Sequence, residues 1–245
     1  MTAFILKIIA LTTMIIDHTG AAFPHYFGLE FRVIGRVAFP IFVFLLAEGF
    51  RHTRSPYKFL MRLGIFAIIS EPFFDLALRV NWQDVEYANM QFLLENINFL
   101  ANTNIFYTLF LGGVAICGYK YRHNLNIALT LTLIIAPFFL AEVLTTDYAS
   151  YGVMFILAMY AITNKNIRLA VMSVMCVWQH SWMLEIILQG HADLLSFLHI
   201  MMIPATLVPV LLVAFYNGKR GPDFKMFFYA AYPAHLAVLF ITAAS

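Results

Sequence analysis

The sequence predicts an all-α fold, a polytopic integral membrane bundle of about nine transmembrane helices with almost nothing outside the bilayer. Three observations predict it. Hydrophobic residues fill 62% of the 245 positions and charged residues 11%, and the mean hydropathy is +0.81. A soluble domain carries roughly twice that share of charge. Apolar runs close to the ~20 residues of a spanning helix recur along the whole chain. The charges between those runs alternate in sign from loop to loop.

The first run, 4–24, lacks a small-residue cleavage site and contains Asp17-His18, so it reads as a retained helix and not a signal peptide. The runs at 33–50 and 57–79 follow, and the second contains Glu71-Pro72. The polar stretch 80–102 is then the longest outside the spans. Its interspersed aromatics suit a short interfacial helix or an ordered loop that shapes an entrance. Further spans are expected at 103–119, 125–145, 148–163, 167–189, 194–216 and 224–244. Pro40, Pro72, Pro137, Pro204, Pro209 and Pro233 fall inside spans, where neighbouring helices can satisfy the freed backbone groups. No repeat or boundary divides the chain, which reads as one domain over 1–245.

Arg51, Arg54 and Lys58, then Lys120 and Arg122, then Lys165 and Arg168, then Lys219, Arg220 and Lys225 mark the even loops. The odd loops hold mostly acids: Glu30, then Asp84, Glu86 and Glu95, then Asp147, then Asp193. Positive-inside counting puts the N-terminus in the cytoplasm and the C-terminus outside, in a multi-pass protein of the cell inner (cytoplasmic) membrane. A net charge of +2 is too small to point to nucleic acid. Cys117 and Cys176 both lie in apolar runs, which argues against a disulfide framework.

An ionisable group at bilayer depth costs roughly 2.5–3.5 kcal/mol on insertion scales, so each one invites a functional question. Lys7 and His18 are eleven positions apart, which leaves them about 20° from alignment and roughly 16 Å apart along a helix axis. Asp17 adjoins His18, and Arg36 opens the next span. Two readings are open. His18 is a general base, oriented by Asp17, or it is a hydrogen-bonded histidine beside an Asp–Arg pair that ties two helices.

Glu48 is expected to pair with a cytoplasmic arginine. Glu71-Pro72 marks either a break beside a cavity or a plain helix irregularity. Glu142 and Glu185 serve a proton path or pair with a base. His235 follows Tyr232-Pro233 and is either a catalytic or a buried hydrogen-bonding residue. His180, between Trp178 and Trp182, reads as part of an interfacial belt, and His25, His52, His123, His191 and His199 as wet boundary histidines. Metal-ligand spacings, phosphate-loop and dinucleotide fingerprints and the nucleophile elbow are all missing from the sequence. The turn 217–222 either anchors the chain by its positive charge or meets phosphates of a nucleotide-bearing cofactor.

Several patches in order resemble the TraX family. They are Leu6-Lys7-Ile8-Ile9-Ala10 with Asp17-His18, Gly35 to Phe42, Glu48 to Arg54, Asn104-Ile105-Phe106, Tyr151-Gly152, Phe227-Phe228-Tyr229 and Tyr232 to Leu236. The resemblance runs almost end to end. It implies an acetyl-CoA-dependent acyltransferase similar to pilin N-terminal acetylases of conjugation, related to broader transmembrane acyltransferases. The basic residue and histidine of the first helix then assign acyl transfer to His18 and guidance of the donor to Lys7. Arg36 and His235 match the family's second-helix arginine and last-helix histidine. With Asp17 they complete the expected catalytic set, and Lys219 and Arg220 join Lys7 in holding acetyl-CoA, with no metal.

The expected partners are acyl-CoA, pilin or a cell-surface acceptor, and the bilayer. Direct transfer and an acyl-histidine intermediate both fit. A proton-coupled small-molecule transporter is the alternative from buried ionisable groups alone, and a structural membrane subunit is a third reading.

Overall fold

The computed structural model describes residues 1–85, 87–181 and 194–245, with the backbone alone for 194–199. Glu86, Glu185, His191, Asp193 and the later part of the expected span 167–189 lie outside the described residues, as does the His199 side chain. Every regular element among the described residues is helical. In chain order these are α1 (Ala3–Ala22), α2 (Pro24–Gly35), α3 (Ala38–His52), α4 (Pro56–Leu78), α5 (Met90–Glu95), α6 (Ile105–Lys120), α7 (Ile127–Val143), α8 (Ala149–Ala161), α9 (Lys165–Gln179), α10 (Leu194–Ala214) and α11 (Lys225–Ala243).

Among the described residues, three stretches are long and apolar enough to cross a membrane: Ala3–Ala22, Pro24–His52 and Lys225–Ala243. Ile105–Lys120, Ile127–Val143, Ala149–Ala161 and Ile200–Ala214 are shorter apolar helices. The expected spans therefore reappear as helices. The exception is 24–32, read as a loop, which forms most of α2 with a kink at Gly28 (φ 54°, ψ −158°).

Polar residues just outside the apolar runs set the helix starts. Asn104, Asn126 and Asn164 each accept from a backbone N–H of the first turn at 2.8–3.1 Å, which satisfies a donor the helix cannot. Pro56 at the start of α4 follows the Ser55 cap. Its missing N–H falls where none is needed.

The chain forms two compact units. Unit 1 comprises Met1–Leu45 and Ile162–Phe228, and unit 2 comprises Leu46–Ala161 and Tyr229–Ser245. Within unit 1, α1 lies along α2, and α10 packs on both α2 and α9. The inward stripe of α1 runs Leu6, Ala10, Met14, Asp17 and His18, the three-and-four spacing of one helix face. The turn before α11 closes the start of α1. Ala3 and Phe4 donate their N–H groups to the carbonyls of Lys219 and Arg220 at 2.9 and 3.0 Å, and Asn217 N–H donates to Met1 O at 2.9 Å. Gly218 and Gly221 carry φ of 76° and 74° in that turn, a conformation that glycine adopts without strain.

In unit 2, α6 is central and packs against α4, α7 and α8. Leu111, Ala115, Ala141 and Val153 form a buried cluster there. A Cβ at Gly112 would lie 2.5 Å from the Ile156 side chain, so a small residue sets how closely α6 and α8 approach. Arg51 donates to Glu48 at 2.9 Å and to the last carbonyls of α8, Met159 O at 3.0 Å and Tyr160 O at 2.7 Å. The expected pairing of Glu48 is thus present, and the same guanidinium caps a helix end.

Candidate active site

Six of the seven expected site residues lie in unit 1. His18 is 7% exposed and Asp17 9%, so the imidazole occupies the inward stripe of α1 and not its outer face. Asp17 Oδ2 accepts from Arg32 Nη1, and Oδ1 from Arg36 Nη2, both at 2.7 Å. Arg36 Nε also donates to the Arg32 carbonyl at 2.9 Å, which locks the two arginines together. Both Asp17 oxygens are therefore engaged by guanidinium groups, and the cluster keeps one positive charge in excess. Gly35 makes the arrangement possible, because a Cβ there would collide with the Asp17 carboxylate.

Arg32 is a participant that the sequence pattern did not single out. Its part becomes visible only once 24–32 is helical and α2 lies against α1. His180, read as a belt residue, is 3% exposed at the end of α9. Its Nδ1 lies 3.4 Å from Cys176 O, and it is within electrostatic reach of Arg36. Its place between two tryptophans concealed this.

Lys7 is half-buried, with Nζ 5.3 Å from the Phe228 ring centroid, a cation–π contact. Phe4, one turn earlier, packs on Phe224 and Phe228 at 5.8 and 5.9 Å. Lys219 and Arg220 expose their side chains while their carbonyls hold the start of α1. Arg220 pairs with Asp223 at 2.7 Å, and Lys225 approaches the same carboxylate at 3.4 Å. Desolvation is the largest single influence on Asp223 and pushes its pKa up. The Arg220 and Lys225 charges together outweigh it and hold the carboxyl below its ordinary range. From Phe4 to His18 the axis of α1 rises about 21 Å, with basic groups at its start and the imidazole near its end.

His235 lies in unit 2. Its Nδ1 is 2.9 Å from Ala231 O, the geometry of an Nδ1–H donor. The edge of its ring meets Tyr232 at 5.4 Å, and Tyr232 packs edge-on against Phe106 at 5.0 Å. Glu71 and Asp75, on α4 of the same unit, are 0% and 1% exposed. Asn104 donates its backbone N–H to Glu71 Oε2 at 3.1 Å and its amide to the same oxygen. The Glu71-Pro72 irregularity thus marks a buried polar centre. Glu142 is exposed and accepts from Ser150 N–H in the first turn of α8 at 3.1 Å. Among the described residues no group of three or more His, Cys, Asp or Glu side chains could hold a metal ion.

The sequence matches the family described as TraX protein over residues 3–243. The chain belongs to the TraX family. A similar curated protein is the probable fimbrial assembly protein FimC, serogroup H1, of Dichelobacter nodosus. It is 34% identical over 251 residues, covering 97% of this chain and 94% of the relative. No solved structure matches. The family match spans every residue of the expected site, so Lys7, His18, Arg36 and His235 all fall within the TraX region.

Proposed function

We propose that this TraX-family protein is a membrane-embedded acyltransferase that moves an acetyl group from cytoplasmic acetyl-CoA to an acceptor at the membrane or its outer face. The family and the fimbrial-assembly relative support a pilin-related role, and the N-terminus of a pilin or fimbrial subunit is the acceptor that fits best. The protein is a multi-pass protein of the inner membrane with a cytoplasmic N-terminus, in keeping with its apolar helices and the sign of its loops.

The observation that carries this reading is the composition of unit 1. One helix bears a basic, phosphate-compatible turn at its start and a buried histidine beside a double-arginine clamp near its other end. Lys219 and Arg220 hold the phosphates of the donor, and Lys7 guides it along α1. His18 takes a proton from the acceptor nitrogen as that nitrogen attacks the thioester carbonyl. The carbon–sulfur bond breaks, and the imidazolium returns the proton to the departing thiolate. The excess charge of the Arg32–Asp17–Arg36 cluster stabilises the oxyanion through Arg36, and Asp17 acts by positioning that arginine. His235, in unit 2, has no part in this step.

The test is transfer from labelled acetyl-CoA by purified protein in proteoliposomes. His18→Ala is expected to lower transfer by roughly 10²–10⁴-fold while the protein stays folded. Full activity in that variant would end the mechanism. Mass spectrometry of surface proteins with and without the gene names the acceptor through the loss of one acetyl increment.

A further inference from the structure

The turn between α10 and α11 carries rings that the transfer chemistry leaves unused. Phe224, the residue after Asp223, is 56% exposed, and Phe227 equally so. Phe224 is not a loose side chain. Its ring meets Phe4 at 5.8 Å with a tilt of 44°, and Phe4 packs edge-on against Phe228 at 5.9 Å. The Phe4 N–H donates to Arg220 O at 3.0 Å, which fixes the turn against the start of α1. Asp223, Phe224, Lys225 and Phe227 line an open cavity of about 350 Å³, within the roughly 300–1,000 Å³ of small-molecule sites. All these residues belong to unit 1.

The charges beside the rings are mostly positive. Lys219, Arg220 and Lys225 are exposed, against the single carboxylate of Asp223. That carboxylate holds Arg220 Nη2 at 2.7 Å and Lys225 Nζ at 3.4 Å. Exposed pairs of this kind are weak, so a phosphate, with more acceptor oxygens, can take both cations from it. An exposed ring offers a π-face on which a flat base stacks. A phospholipid headgroup supplies phosphate without an aromatic base. Ring, cations and open cavity together match a nucleotide.

We infer that Phe224 is the stacking platform for the base of a nucleotide whose phosphates lie on Lys219, Arg220 and Lys225. That this nucleotide is the adenine end of the acetyl donor rests on the function proposed above; the match of ring and cations to a base and its phosphates does not. The donor is then held in two parts. Its nucleotide stays at the turn, beyond the start of α1, and only its thiol arm runs along α1 towards His18. Asp223 keeps Arg220 and Lys225 together until phosphate takes its place.

The test uses ADP and inorganic pyrophosphate, which share a diphosphate and differ in the adenosine, with acyl donor and acceptor both left out. Each is titrated against the full-length protein in nanodiscs of phosphatidylcholine, whose headgroups carry no net charge. Charge alone favours pyrophosphate. ADP is nevertheless expected to bind about tenfold more tightly, with the preference lost in Phe224→Ala and in Phe224→Leu, which keeps an apolar contact with Phe4 but has no π-face. Equal affinity of ADP and pyrophosphate for the unmodified protein overturns the site and leaves the turn a charged anchor. A preference that survives in either variant overturns it too. Should a variant fail to fold, the comparison on the unmodified protein still decides. His18→Asn keeps the ADP preference while losing transfer, so failure of the acyltransferase reading and failure of the nucleotide site give different results.

Discussion

The two units hold their buried carboxylates in different ways. In unit 1 a single carboxylate, Asp17, is shared by Arg32 and Arg36 at 2.7 Å each, so the cluster is cationic. In unit 2 Glu71 and Asp75 are held by a side-chain amide and backbone N–H groups, with one loosely placed arginine. The residues alone suggested only scattered buried ions. The difference lies in the partners of the buried carboxylates: charged guanidinium groups in unit 1, mostly neutral N–H donors in unit 2.

The largest expected effect separates the two histidines of the expected catalytic set. His18→Asn is expected to lower transfer from labelled acetyl-CoA by roughly 10²–10⁴-fold, and His235→Asn by much less. The reverse order would move the base from unit 1 to unit 2. The next effect tests the clamp. Asp17→Asn leaves two arginines facing a neutral amide, and loss of one partner of a buried ion pair costs about 3 kcal/mol. Thermal unfolding in detergent reads this loss, and an unchanged midpoint would mean that the clamp is solvated. Gly35→Ala should destabilise in the same assay, because its methyl group occupies the position of the Asp17 carboxylate.

Much of this arrangement was legible in the sequence, for stated physical reasons. The run 57–79 became Pro56–Leu78 and 125–145 became Ile127–Val143, because apolar content fixes where a spanning helix runs and Ser55 and Asn126 fix where it starts. His18 was singled out with Lys7 by their spacing on one helix face, and it lies in the buried stripe of α1. The 24–32 segment was not legible. His25, Glu30, Arg32 and Gly28 break its apolar pattern, yet it continues as a kinked helix whose arginine reaches Asp17. Glu71 was visible as an oddity, but its partner Asn104 lies 33 positions away. No local pattern encodes that pairing.

Two smaller effects sharpen the contrast. Arg51→Met removes a cap from α8 in unit 2 and should cost about 1–2 kcal/mol of stability with transfer unchanged. A parallel fall in activity would show that unit 2 packing is coupled to the chemistry. Asp223→Asn releases Arg220 from its exposed ion pair, and such pairs are weak. The KM for acetyl-CoA should fall by about twofold with kcat unchanged, and a rise in KM would remove Arg220 from the donor site.

The most direct measurement is thermal unfolding of the purified protein with and without acetyl-CoA. At about one hundred times its Kd, a ligand that binds only the folded state adds roughly 2.7 kcal/mol of stability. A raised midpoint is predicted, with a smaller rise in Lys219→Ala and Arg220→Ala proteins. A midpoint unmoved by acetyl-CoA at any accessible concentration would contradict the assignment of unit 1 as the donor-binding half.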